Sequence, residues 1–232
     1  MKNLLSIFCL LGMLTACNSN NNNNSTATGT STETTTTEVA SPDKEMGLKS
    51  VMYETETEMP AGMNYGSNKT TIYSDDYGKK SRTTSVMHMS YGGKSIDNTS
   101  NSLRLGDDIY SWSSAAKGGM RFKIDKDKFD PNSTDLTSLT EDMKKRINYK
   151  EEGTETIQGK ECKVASFSSD NMSGKIWTWK GVPMQMQITM MGKTITTKVI
   201  SIQENPSFPA GTFDVPAGIE FKEMNAAATA QK

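Results

Sequence analysis

Met184-Gln185-Met186-Gln187-Ile188-Thr189-Met190 alternates apolar and polar side chains without a break. Successive side chains of an extended strand point to opposite sides, so this spacing is that of a β-strand with one apolar and one polar face. The same period returns upstream. Val51, Tyr53, Thr55, Thr57 and Met59 alternate with Glu54, Glu56 and Glu58, and Met120, Phe122 and Ile124 with Arg121, Lys123 and Asp125. Turn-forming groups punctuate these runs: Pro60-Ala61-Gly62, Asp76-Tyr77-Gly78, Gly92-Gly93, Lys117-Gly118-Gly119, Gly181-Val182-Pro183 and Met191-Gly192-Lys193. The pattern predicts about ten strands in meander order, forming an antiparallel sheet with one covered and one wet face.

One segment departs from it. Leu136, Leu139, Met143 and Ile147 recur at helical steps. Ser138 and Glu141 fit a capping box, and Lys144, Lys145 and Arg146 suit the negative end of the helix dipole. The expectation is a mainly β fold with one short amphipathic helix, near 136–148, laid over the apolar face.

The 232-residue chain divides by composition. Lys2, the apolar run Leu4–Leu14, small Thr15 and Ala16, and then Cys17 make a lipoprotein signal peptide over 1–16. The apolar run is about half the roughly 20 residues that a spanning helix needs. Leu14-Thr15-Ala16-Cys17 matches the lipobox, so Cys17 is the expected acylated first residue of the mature chain. The alternative is an ordinary signal peptide with a chance cysteine, which the position, run length and small residues disfavour. Residues 17–44 carry Asn20–Asn24 and a Ser/Thr-rich run that cannot form a core, so they read as a disordered tether. Such a tether has an r.m.s. reach of about 30 Å. Residues 45–224 form one β domain, and 225–232 a disordered tail.

Chemistry-bearing residues are few. Of three cysteines, Cys9 leaves with the signal and Cys17 is acylated. Cys162 remains alone, reading as a small buried hydrophobe. The net charge of −1, without a basic block, argues against nucleic acid. His88 is the one histidine and lies in a strand pattern, which reads as a sheet-surface residue rather than a base. Asp125, Asp127 and Asp130 depart from the calcium-loop pattern because Phe129 and Asp130 take a ligand position and the glycine position. Gly93-Lys94-Ser95 lacks the first glycine of a phosphate-binding loop and reads as a hairpin turn. No catalytic or metal residues are assigned, and the only cofactor expected is the covalent lipid on Cys17. Sixteen methionines are the unusual enrichment. Copper(I) on Met87-His88-Met89 and Met184-Gln185-Met186 is one reading, and flexible thioethers lining a core or cavity is the favoured one.

Ile176-Trp177-Thr178-Trp179-Lys180-Gly181-Val182-Pro183, with the methionine strand after it, resembles the strand and hairpin of an uncharacterised family of secreted bacterial lipoproteins. So do Gly159-Lys160-Glu161-Cys162 and the ending Asn205-Pro206 through Phe213-Asp214-Val215-Pro216-Ala217-Gly218-Ile219. That family is similar to the LolA/LolB-like superfamily of outer-membrane lipoprotein-sorting proteins. The resemblance covers most of Glu45–Lys222 in order of elements, with its specific motifs in the last third. It implies a curved antiparallel half-barrel whose mouth is closed by helices over an acyl-chain cavity.

The expected function is a non-enzymatic, membrane-anchored periplasmic module for a lipid, acyl chain or other apolar ligand. Trp177, Trp179, Met184, Met186 and Met190 are the candidate ligand wall. A structural or assembly protein with a protein partner is the alternative, and Met-rich copper binding the third reading. Asn18, in place of the aspartate that retains lipoproteins at the inner membrane, implies release to the outer membrane, and a periplasm-facing body is the expectation there.

Overall fold

The computed structural model describes residues 46–60, 65–91, 94–114, 116–124, 141–169 and 172–224. They form one twelve-stranded, open, curved sheet that does not close into a barrel. In chain order the strands are β1 (Val51–Glu58), β2 (Tyr65–Asp75), β3 (Lys80–Tyr91), β4 (Lys94–Leu105), β5 (Asp108–Ser113) and β6 (Gly118–Lys123). After the helix α1 (Glu141–Arg146) come β7 (Lys150–Ile157), β8 (Lys160–Ser169), β9 (Met172–Trp179), β10 (Val182–Met190), β11 (Lys193–Glu204) and β12 (Glu220–Glu223). The half-barrel with little helix is therefore the fold, with twelve strands where about ten were expected.

The order across the sheet is β12-β6-β5-β4-β3-β2-β1-β11-β10-β9-β8-β7. It is two meanders rather than one. Antiparallel pairing of β1 with β11 joins them, and β12 adds to β6 in parallel. The connection from β6 to β7 consequently runs from near one edge of the sheet to the other.

Local chemistry accounts for the hairpins. Gln158-Gly159, Lys180-Gly181 and Met191-Gly192 all carry positive φ at both positions, the backbone of two-residue turns whose twist matches that of the flanking strands. Two glycines within strands lie under aromatic rings. Gly119 sits opposite Phe221 and Gly174 opposite Phe167, each with the aromatic ring filling the space of the missing side chain. Gly118 and Gly119 thus open β6 and do not belong to a turn.

The core gathers Leu48, Val51, Tyr53, Ile72, Cys162 and Val164 with Trp177, Val182, Met184 and Val199. Tyr53 and Ile72 face each other across β1 and β2, as the alternation predicts. The opposite side of the same strands is wet at Glu56 and Glu58 on β1, as expected, but it is covered farther along the sheet. Tyr73, Arg82, Leu103, Tyr110 and Arg121 lie side by side across β2 to β6. The chain after β11 returns over this side on its way to β12. Phe208 packs edge-on against Tyr73 at 6.0 Å and Phe213 against Phe208 at 5.2 Å. Trp112, buried here, carries Arg82 over its ring at 4.6 Å and meets Phe221 at 5.8 Å. Met120 faces away from this side and is exposed, contrary to its expected core role.

Of the expected helix, only the second half is described; Leu136, Ser138 and Leu139 lie outside the described residues. Its end is tied to β8, where Ser168 N–H donates to Ile147 O at 2.6 Å and Asn148 Nδ2 to Ser168 O at 3.0 Å. Cys17 with the signal peptide, the tether, the tail and the aspartates Asp125, Asp127 and Asp130 also lie outside the described residues, as do the turn residues Ala61, Gly62, Gly92 and Gly93.

Candidate functional site

From Gln185 onward β10 alternates regularly. Met186 stands opposite Ile176 and Thr197, Ile188 opposite Gly174 and Ile195, and Met190 opposite Met172 and Lys193. Residues opposite one another in register share a side, so Met172, Ile176, Met186, Ile188, Met190 and Ile195 form one apolar strip. Ile176 is buried, whereas the other five are only half-buried. The strip continues at Thr197 into Thr57 and then Asn68, so an apolar half adjoins a hydroxyl-bearing half. Those polar groups satisfy one another. Thr57 and Thr197 bond at 3.0 Å, Ser85 donates to Asn68 Oδ1 at 2.7 Å, and Thr70 donates to Ser85 at 3.0 Å. Mutual bonding of this kind offsets the cost of burying Thr57, Asn68, Thr70 and Ser85.

The five expected wall residues divide between two places. Met186 and Met190 lie on the half-covered strip. Met184 and Trp177 are buried in the core with Tyr53, and half-buried Trp179 packs against that cluster. The register irregularity between Pro183 and Gln185 separates the two groups, because a bulge breaks the alternation and re-aims the side chains beside it. Trp179 has Lys160 over its ring at 3.7 Å and Lys180 at 4.9 Å. Both ammonium groups also approach Glu204, at 3.0 and 3.9 Å.

The opposite side of β7 to β10 carries buried Val164 and Trp177, but toward α1 it turns polar and holds an open cleft of about 360 Å³. Its lining includes Asn148, Lys150, Ser168, Ser173, Lys175 and Thr189. At one end, Lys175 Nζ bridges Glu152 and Glu155 at 3.1 and 3.0 Å, and the Trp177 indole donates to Glu155 at 2.8 Å. Bonds to Glu155 and then Glu152 raise the affinity of Lys175 for its proton. The Trp177 bond, followed by Lys175, holds the Glu155 carboxyl below its ordinary range. The Ser166 hydroxyl, followed by Lys175, does the same for Glu152. These residues were missed in the sequence, where only the apolar half of each alternation was followed. Ser166/Ser168, Ser173/Lys175 and Gln187/Thr189 are the polar complement on the same strands.

The remaining reactive groups are placed as follows. His88 lies exposed and bonds Asp97 at 2.6 Å across β3 and β4. As neighbours along one strand, Met87 and Met89 point away from the His88 side, so the three do not converge on one ion. Among the described residues there is no cluster of three His, Cys, Asp or Glu able to hold a metal. Cys162 is fully buried, and burial raises its thiol above the ordinary value.

In sequence, no protein family and no curated protein matches this chain. In structure it is similar to an uncharacterized conserved protein from Thermus thermophilus, at 9% identity and a TM-score of 0.47, over 77% of this chain and 93% of that one. It is also similar to a chain in the MucA/MucB complex of Pseudomonas aeruginosa, at 11% identity and a TM-score of 0.44, over 73% of this chain and 56% of that one. A third is a domain from Vibrio parahaemolyticus described as an outer membrane lipoprotein-sorting protein domain, at 12% identity and a TM-score of 0.33, over 74% and 92%. Likeness at this level is one of outline and transfers no residue or activity.

Proposed function

We propose that this chain is a non-catalytic binding module of the bacterial envelope, anchored through lipid on Cys17, that takes up an apolar ligand such as an acyl chain. The observation that carries this reading is the strip on β9 to β11. Met172, Met186, Ile188, Met190 and Ile195 turn apolar surface to one side of the sheet, and the fold leaves them half covered. Burying apolar surface is worth about 25 cal/mol per Å², so a ligand that covers the strip is favoured on that ground alone. Thioethers suit such a surface because their unbranched side chains adapt to chains of varied shape.

Met184 and Trp177 belong to the core in this reading, and Met186 and Met190 are the contact residues. Location at the outer membrane is proposed with it on the strength of Asn18.

The test uses the full-length protein in uncharged detergent with an environment-sensitive fluorescent fatty acid. Wild type should enhance probe emission saturably. Met186→Glu with Met190→Glu should abolish the enhancement while cooperative urea unfolding persists. A folded double variant that still takes up the probe would refute the reading, and a protein-partner role would then be the better account.

A further inference from the structure

On the far side of the sheet from the apolar strip, the cleft of about 360 Å³ between β7 and β10 has a charge asymmetry along its length. None of its lining residues is acidic, and two are lysines. At the Trp177 end, the Lys175 ammonium is already matched by Glu152 and Glu155. At the α1 end the balance is different. Lys150 is exposed and pairs in register with Ser166. It forms no ion pair with a described residue. Ser168 and Ser173, opposite one another in register, bring two small hydroxyls to the floor. Lys144, Lys145 and Arg146 form the last turn of α1, which ends two residues before the cleft residue Asn148. Cations there suit the helix dipole, but that role does not extend to Lys150, which lies on a strand.

Of the nearby acids, Glu151 stands opposite Ala165, on the other side of β8 from Ser166. Glu152 feels the Lys150 charge, but its carboxylate is held first by the Ser166 hydroxyl and by Lys175, so it offsets Lys150 only in part. What remains is an open, polar hollow with hydroxyl donors and an excess of positive charge at one end. A phosphate group matches it: compact, anionic and rich in acceptors, so each donor makes a charge-assisted hydrogen bond.

We propose that the α1 end of this cleft binds a phosphate ester, held by Lys150 with the hydroxyls of Ser168 and Ser173, and attracted by Lys145 and Arg146. The site is independent of the apolar strip, because Gln187 and Thr189 face it while Met186, Ile188 and Met190 face away. The ester is either a soluble phosphorylated compound or the headgroup of a phospholipid, and the two sources present the same chemistry to the site.

Glycerol phosphate is titrated calorimetrically into the full-length protein in dodecyl maltoside, an uncharged detergent. Saturable binding is expected, weakening as sodium chloride is raised. Lys150→Gln should weaken it by about tenfold, the loss of one charge-assisted contact, and Lys150→Arg should retain most of it. Met186→Glu with Met190→Glu should leave it unchanged, so failure of the acyl-chain reading is seen separately. Competition by phosphatidylglycerol vesicles but not by phosphatidylcholine vesicles identifies a lipid headgroup as the source. Binding without such competition identifies a soluble ester. No saturable binding of glycerol phosphate, or binding that Lys150→Gln leaves unchanged, overturns the proposal.

Discussion

The Trp177 indole N–H donates to Glu155 Oε2 at 2.8 Å, tying a core tryptophan on β9 to the outermost strand β7 across the intervening β8. β7 pairs with β8 alone, and nearly all of its residues are exposed, so this bond, the Lys175 bridges and the Ser166–Glu152 bond are among its side-chain moorings. The Trp177 bond, with Lys175 second, keeps the Glu155 carboxyl more acidic in the fold than in the unfolded chain. A lowered folded value contributes stability that is present above the unfolded carboxylate range and is lost as pH falls through the folded value. Wild type and Glu155→Gln should therefore differ at neutral pH and converge in acid, as pH falls below the ordinary glutamate range and through the lowered folded value. Thermal melts across pH read this directly. Parallel curves for the two proteins would show that Glu155 has no part in acid sensitivity.

Gly174 lies under the Phe167 ring. A Cβ at Gly174 would stand 2.3 Å from Phe167 Cζ and 2.9 Å from Gln187 O. Gly174→Ala should cost about 1–3 kcal/mol, the usual range for overpacking. Combining it with Phe167→Leu should cost less than the sum of the two single changes, since they share one contact. Urea unfolding of the four proteins makes the comparison, and strict additivity would mean that the ring does not occupy this space.

Two methionines one turn of the pleat apart should behave differently. Met184 is fully buried in the core, and Met184→Ala should cost about 2–5 kcal/mol. Met186 is half-buried on the strip, so Met186→Ala should cost about 1 kcal/mol or less in the absence of ligand. Equal losses on denaturant titration would mean that the strip is packed as core.

Burial raises the Cys162 thiol, and Cys162 Sγ–H also donates to the Lys160 carbonyl at 3.4 Å. Thiolate is the reactive form. Cys162 should resist a thiol reagent in native buffer and react promptly in urea. Rapid native labelling at neutral pH would show that β8 opens readily at this position.

Cys17→Ala should yield protein that takes up no fatty acid in metabolic labelling and partitions with soluble material. Each buried methylene contributes about 0.8 kcal/mol, and stable anchoring takes more than one chain. Label persisting on the variant would place the lipid elsewhere.

Local alternation made part of this fold legible in sequence. Val51, Tyr53, Thr55 and Thr57 are buried as their spacing predicts, because side-chain direction in a strand depends on the pleat alone. Met191-Gly192 forms its hairpin for an equally local reason, the positive φ of both residues. Gly118-Gly119 misled because its explanation is distant. Phe221, 102 residues after Gly119, lies over it. β12 was unreadable for the same reason, being a strand only by its pairing with β6.

The candidate site shows the same division. That β10 has a thioether side was plain from Met184, Met186 and Met190. That Met184 belongs to the core and the other two to an open strip followed from a bulge against β9, which depends on how two strands match in register. The covering of Tyr73 by Phe208, and the insertion of β11 beside β1, required the chain to return across the sheet. Spacing by itself determines which way each side chain points from its own strand. Which of those sides meets protein and which stays open is decided by contacts between distant segments, whose energies no local pattern encodes.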